Sequence, residues 1–148
     1  MMTMGPRALL PSGGDEPPSV PPQLILSAEP QSARAARRFV REAAAYQEPD
    51  TPEEALGTLE LLASELATNA LLHGGRAAPG SSVRVVVDAR PGRTRVEVHD
   101  ACPTLPYIRP TSTMSERGRG LLLVSLMASA WGSADRSTGK MVWAVVTW

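Results

Sequence analysis

The chain is predicted to fold as an α/β two-layer sandwich, with helices covering one face of a mixed, mainly antiparallel sheet. Three observations predict this. Apolar residues recur at helical spacing through residues 31–46 and again toward residue 73. Two-residue periodicity marks 82–88 and 94–100, joined by Arg90-Pro91-Gly92, a hairpin signature. The resulting order of strand, two helices, strands, helix and strands departs from regular β-α alternation and favours an antiparallel sheet covered on one side.

Taken in order, residues 1–22 hold six prolines and little apolar content. Such a segment cannot offset its ordering entropy and is expected to be a flexible leader, leaving 23–148 as one domain. Gln23–Ser27 is expected to be a short edge strand. Pro30 then suits the first turn of a helix over Gln31–Tyr46. Ala36, Val40, Ala43 and Ala44 form its apolar stripe, and Arg34, Arg37, Arg38 and Arg41 crowd the other side. Those arginines read first as a solvated face and second as a partner surface. Thr51-Pro52-Glu53-Glu54 combines a capping threonine, proline at the first helical position and acids on the positive end of the dipole. The helix it opens runs to about His73 and stops at Gly74-Gly75. After the 82–100 hairpin, Ala101–Arg117 is a long loop rich in Pro, Thr and Ser, of the size that is usually functional or disordered. Gly118-Arg119-Gly120 is expected to open a helix reaching about Ala130. Trp131–Asp135 and Lys140–Trp148 then form a closing hairpin.

Composition excludes several classes. The chain has 148 residues, 43% hydrophobic and 20% charged, which suits one domain with a real core. Its formal net charge of zero argues against a broad electrostatic grip on nucleic acid. The single cysteine, Cys102, rules out an internal disulfide and suits a reducing, cytoplasmic setting. Met1–Leu10 lacks the pattern of a secretory signal, and no apolar run approaches bilayer length, so no membrane association is expected.

Three places carry candidate chemistry. In Ser64-Glu65-Leu66-Ala67-Thr68-Asn69, Glu65 and Asn69 lie four residues apart, with His73 four further on, so all three share one helix strip. Leu56, Leu59, Ala63, Leu66 and Ala70 form a neighbouring apolar strip. Alone, a solvated edge explains the polar strip as well as a cleft holding a cation and a reacting oxygen. Asp100 ends a strand and shares parity with Val96 and Val98; it reads as a turn cap or as an acceptor for a ligand amine. Gly118-Arg119-Gly120-Leu121 precedes an apolar run. It is either a plain loop-to-helix entry or a place where free amides meet phosphate. It lacks the Walker pattern and the dinucleotide fingerprint of a βαβ unit.

In this order, Glu65-x-x-x-Asn69-Ala70, Asp100 and Gly118-Arg119-Gly120-Leu121 resemble the boxes of the histidine kinase-like ATPase superfamily, whose domain is the Bergerat ATP-binding fold. Ser64–Ala70, Gly118-Arg119-Gly120-Leu121-x-Leu123-Val124, Trp131-Gly132 and Gly139-Lys140-x-Val142-Trp143 are similar to its anti-sigma-factor serine/threonine kinase branch. The resemblance implies ATP and Mg²⁺ as cofactors. Glu65 is then the catalytic acid that orients or deprotonates the nucleophile, and Asn69 the Mg²⁺ ligand. Asp100 receives the adenine amine, and Arg117, Gly118, Arg119, Gly120 and Leu121 line the phosphates, with His73 at their side and 101–117 as a short lid. Implied partners are a sigma factor and an antagonist protein phosphorylated on serine or threonine, with a homodimer as one expected assembly and no direct contact with nucleic acid.

Two departures qualify this expectation. The family's Asp-x-Gly-x-Gly is here Asp100-Ala101-Cys102-Pro103-Thr104, and Met141 stands where a threonine commonly supports the adenine-binding aspartate. The first alters the loop conformation expected around adenine, and the second points to weaker nucleotide affinity. The competing expectation is therefore a non-catalytic module that sequesters a protein partner. A detached sensor histidine kinase core fits less well, because no phosphoacceptor-type helix pair is present.

Overall fold

Alternating valines build the sheet and small apolar residues build the helices that lie on it. The computed structural model describes residues 20–27, 29, 31–73, 82–100, 122–136 and 139–148. Among these, the strands are β1 (Gln23–Ser27), β2 (Ser82–Arg90), β3 (Arg93–Asp100), β4 (Ala130–Arg136) and β5 (Gly139–Thr147), in the order β1-β2-β3-β5-β4. All four neighbouring pairs are antiparallel. The helices are α1 (Ser32–Gln47) and α2 (Glu53–His73), with a short helix, α3, over 122–127.

Register assigns the faces. Val83, Val85 and Val87 stand opposite Asp100, Val98 and Val96, and Val98 and Val96 stand opposite Val142 and Ala144. The valines of this set and Ala144 share one core with Ala36, Val40 and Ala44 of α1 and with Leu56, Leu59, Leu62, Ala63, Leu66 and Ala67 of α2. The apolar stripes read from the sequence are thus the buried ones, except that Ala70 is only half-buried, and Leu62 and Ala67 widen that of α2. Burying one large aliphatic side chain here contributes about 1.5–3 kcal/mol. The other side of the sheet carries Arg84, Arg95, Glu97, His99, Met141 and Trp143, and no described helix covers it.

α1 is tied to the sheet at both ends by side-chain bonds. Ser32 Oγ donates to the Ser27 carbonyl (2.7 Å), fixing its start beside the end of β1. At its other end Gln47 Nε2 donates to the Val87 carbonyl and Gln47 Oε1 accepts from the Ala89 amide, both at 3.1 Å. β1 is too short to pair with that part of β2, so a side chain completes the ladder. Residues 48–52 then reverse the chain, and Arg41 bridges from α1 to Glu53 and Glu60 of α2. The two helices are therefore antiparallel. α1 starts at the sheet end that carries Ser27, Ser82 and Asp100, and α2 returns toward that end.

Several local expectations change. The Thr51 hydroxyl, read as a helix cap, donates to the Glu48 carbonyl (2.6 Å) and closes the preceding turn. Arg41 is not a free member of an arginine face: two glutamates of α2 hold it, whereas Arg34, Arg37 and Arg38 are exposed. The helix expected to reach Ala130 is described only over 122–127. The Ser129 amide donates to the Val145 carbonyl, and Ala130 pairs with Val145, so the sheet edge takes these residues from the helix. Among the described residues of the apolar run, Val124 alone is fully buried, while Leu122, Leu123 and Leu126 are exposed. The Pro91-Gly92 corner matches expectation, with Gly92 at a φ of 77° that residues with a Cβ adopt only under strain.

Candidate functional site

The candidate residues come from α2 and from one end of the sheet. Glu65 and Asn69 are half-buried, one turn apart, beside the fully buried Leu66 and Ala67. They occupy the C-terminal half of α2, the half nearer the sheet end that carries Asp100. Asp100 is half-buried and in register with Val83, on the helix-facing side, as its parity with Val96 and Val98 predicts. It is also engaged by another group of the protein. Fold topology thus leaves the half of α2 that holds Glu65 and Asn69 and the end of β3 that holds Asp100 at the same end of the sheet.

His73 is the last residue of α2. Its side chain lies outside the described residues, as do Arg117, Gly118, Arg119, Gly120, Leu121 and the 101–117 loop. Glu65 and Asn69 are the helix donors that can be assessed for a cation. Among the described residues no group of three or more His, Cys, Asp or Glu side chains clusters as a metal cage. A carboxamide and a carboxylate one helical turn apart suit a hard cation that takes one or two protein oxygens and fills its remaining positions with water and phosphate.

Register corrects the reading of Met141. That residue stands opposite His99, on the face turned away from the helices, so it cannot support Asp100. Lys140 is the residue in register with Asp100. A one-residue offset along a strand exchanges faces completely. The signal was available in the sequence, because Lys140 shares parity with Val142 and Ala144, whose positions are apolar and inward.

The outward side of β3 carries charges bound to one another. Arg95 Nε donates to Glu97 (2.8 Å), and His99 Nε2 lies 2.9 Å from the other oxygen of the same carboxylate. Arg95 also stacks over the Trp143 ring, 4.7 Å from its centroid. Hydrogen bonding first to His99 and then to Arg95 holds the Glu97 carboxyl below the ordinary glutamate range. This network lies on the opposite face from Asp100 and has no part in the candidate site.

With that geometry established, comparison with known proteins is decisive for the family. The histidine kinase-like ATPase domain matches residues 26–146. The chain belongs to this family. The match spans α1, α2 and α3 and reaches into all five described strands, and it includes Glu65, Asn69 and Asp100. No curated protein matches the chain. Among solved structures, the RsbU and RsbW domains of Rv1364c from Mycobacterium tuberculosis align with a TM-score of 0.60 at 20% identity, covering 88% of this chain and 33% of that one. The blue-light activated histidine kinase EL346 of Erythrobacter litoralis aligns at 0.53 and 26% identity, covering 66% of this chain and 32% of that one. The histidine kinase domain of the same protein aligns at 0.52 and 20%, covering 78% and 60%. This chain therefore spans between a third and three-fifths of the length of the structures it matches. Family membership implies nucleotide binding. No helix among the described residues is long and apolar enough to cross a membrane.

Proposed function

We propose that this protein binds Mg-ATP at the sheet end bearing Asp100 and acts as a regulatory serine/threonine kinase of the anti-sigma-factor type. The observation that carries the reading is the register of Asp100: it puts the acid on the helix-facing side, at the sheet end toward which α2, with Glu65 and Asn69 in its C-terminal half, returns. An RsbW domain among the structural neighbours favours the anti-sigma branch over a sensor kinase. The partners are then a sigma factor held inactive and an antagonist protein carrying the acceptor hydroxyl.

Each residue has a distinct task. Asp100 accepts a hydrogen bond from the adenine amine. The Asn69 carboxamide oxygen holds Mg²⁺, whose contribution when bound is to neutralise phosphate charge. Glu65, one turn away, orients the acceptor hydroxyl or takes its proton, in a reaction that needs mainly positioning and charge neutralisation. Arg117, Gly118, Arg119, Gly120 and Leu121, with His73, are assigned to the phosphate side on their motif alone.

The second reading is a module that binds nucleotide weakly and works by sequestering its partner. It is favoured by the missing glycines after Asp100. Thermal shift and phosphate transfer to a candidate antagonist separate the two readings. Mg-ATP is expected to raise the melting temperature of the parent, since binding to the native state alone adds stability. Asp100→Asn should remove most of that shift. Glu65→Gln should keep it and lower transfer by roughly 10²-fold or more. Asn69→Ala should lose the Mg²⁺-dependent part of binding. Binding without transfer in the parent would support sequestration. No shift at millimolar nucleotide would overturn the nucleotide site and leave sequestration of a protein partner alone.

A further inference from the structure

One titratable residue beside the site has no role in the scheme above. Lys140, the single lysine of a chain with fourteen arginines, is in register with Asp100 across the β3–β5 pair. The next inward pair of the same two strands is Val98 with Val142, both packed on the core. Directly opposed residues have Cβ atoms about 4.5–5.5 Å apart. A carboxylate and an ammonium on such neighbours can reach the same small region beyond the apolar floor. Both residues are half-buried.

The two groups have complementary limits. An ionised carboxylate only accepts hydrogen bonds and an ammonium only donates them. Side by side they form an acceptor next to a donor, the complement of a ring edge that presents a donor next to an acceptor. Adenine has that edge, with its exocyclic amine beside ring nitrogen N1. In the same orientation guanine presents an oxygen to the carboxylate and an N–H to the ammonium, two mismatched pairs. A neutral ion pair also removes the cost of leaving a lone acid against an uncharged purine.

We propose that Lys140 is a base-reading residue, donating from its ammonium to N1 of the adenine whose amine Asp100 accepts. The proposal rests on the nucleotide site argued above and adds the residue that selects the base. Lys140 is also in register with Asp135 of β4, so it stands between two acidic positions of one cross-strand row. The long stem allows its head group to serve the β3 side while its methylenes lie along apolar surface.

The test uses the full chain and three probes: Mg-ATP, Mg-1-deaza-ATP (which keeps the amine and replaces N1 by C–H) and Mg-GTP. Calorimetric titration of the parent should show 1-deaza-ATP and GTP binding at least roughly 10-fold more weakly than ATP, the loss expected for one hydrogen bond to a charged group. Lys140→Met should bind ATP and 1-deaza-ATP alike, near the parent's affinity for 1-deaza-ATP. Lys140→Thr, with a neutral donor, should recover part of the ATP preference. A parent indifferent to the loss of N1, a preference for GTP, or ATP binding tightened by either substitution would overturn the assignment. The parent comparison needs no variant, so a folding defect in Lys140→Met cannot obscure the answer. ATP binding that depends on Asp100 but ignores N1 would remove only the Lys140 role, whereas no ATP binding at all would remove the site as well.

Discussion

The two faces of the sheet are built from alternate residues of the same strands, yet they are held together differently. The helix-facing side is a continuous apolar layer, from Val83, Val85 and Val87 through Val96 and Val98 to Ala144 and Val146, all nearly or wholly inaccessible to water. Apart from the buried Thr94 near its far end, this layer turns polar among the described residues of β3 and β5 at the end that carries Asp100 and Lys140. The outward side is cross-linked by Arg95, Glu97, His99 and Trp143. Packing on the first face fixes where the proposed nucleotide-binding end lies. The second face stabilises the strands through pairs of moderate strength, and its charges satisfy one another. Charged residues in this fold are thus informative by the face they occupy: Asp100 and Glu97 are three residues apart on one strand and lie on opposite sides.

The largest expected effect belongs to the packed face. Leu59 is fully buried at the centre of the helix–sheet core. Leu59→Ala should cost about 2–5 kcal/mol by lost transfer energy and a residual cavity, read as a drop in denaturant midpoint with an unchanged slope. A cost below about 1 kcal/mol would mean the helices pack less tightly on the sheet than described.

Next comes the outward face, where Gly132 permits the indole of Trp143 to lie against the β4 backbone. A Cβ at position 132 would stand 2.8 Å from the Trp143 ring. Gly132→Ala should therefore displace the ring and cost about 1–3 kcal/mol, with a change in tryptophan emission. An unperturbed emission spectrum would show that Trp143 has room to move, and the outward face would then be the looser of the two.

A smaller effect of opposite sign is expected at Thr94. Its hydroxyl is fully buried on the helix-facing side, and among the described residues it has no hydrogen-bond partner. Thr94→Val keeps the shape and removes that unpaired group, so it should stabilise by about 1 kcal/mol, or at worst be neutral. Destabilisation by this substitution would reveal a partner for the hydroxyl and a polar element in the apolar layer.

The smallest effect concerns the Glu97 network and its pH dependence. The folded pKa of Glu97 is lowered by His99 and Arg95, so its contribution is complete above the value of a free glutamate and is lost as pH falls through the lower folded value. Part-exposure limits it to about 0.5 kcal/mol. The stability difference between the parent and Glu97→Gln should hold constant from neutral pH down to roughly pH 5 and then close in more acid solution. A difference that grows with acidification would reverse the assigned sign.

Much of this architecture was legible in one chain because periodicity encodes it. The stripe Ala36-Val40-Ala43-Ala44, the α2 stripe and the alternating valines of β2 and β3 each report a face, and the shared parity of Asp100, Val96 and Val98 placed the acid on the helix side. The strip of Glu65 and Asn69 followed from helical spacing, and the family from the order of its motifs. Register was legible in principle and was misread at one position, where Met141 was given the place that Lys140 occupies.

The sequence by itself determined the element types, the buried faces and the candidate residues, because each depends on spacing along a single helix or strand. Tertiary structure alone decided the rest. It chose the strand order β1-β2-β3-β5-β4, the capture of Ser129 and Ala130 by the sheet edge, the Gln47 bracket on β2, the Arg41 bridge between helices and the cross-strand register of Asp100 with Lys140. Each of these joins residues distant in sequence, and their pairing depends on how competing surfaces share one core, a quantity that no local pattern contains.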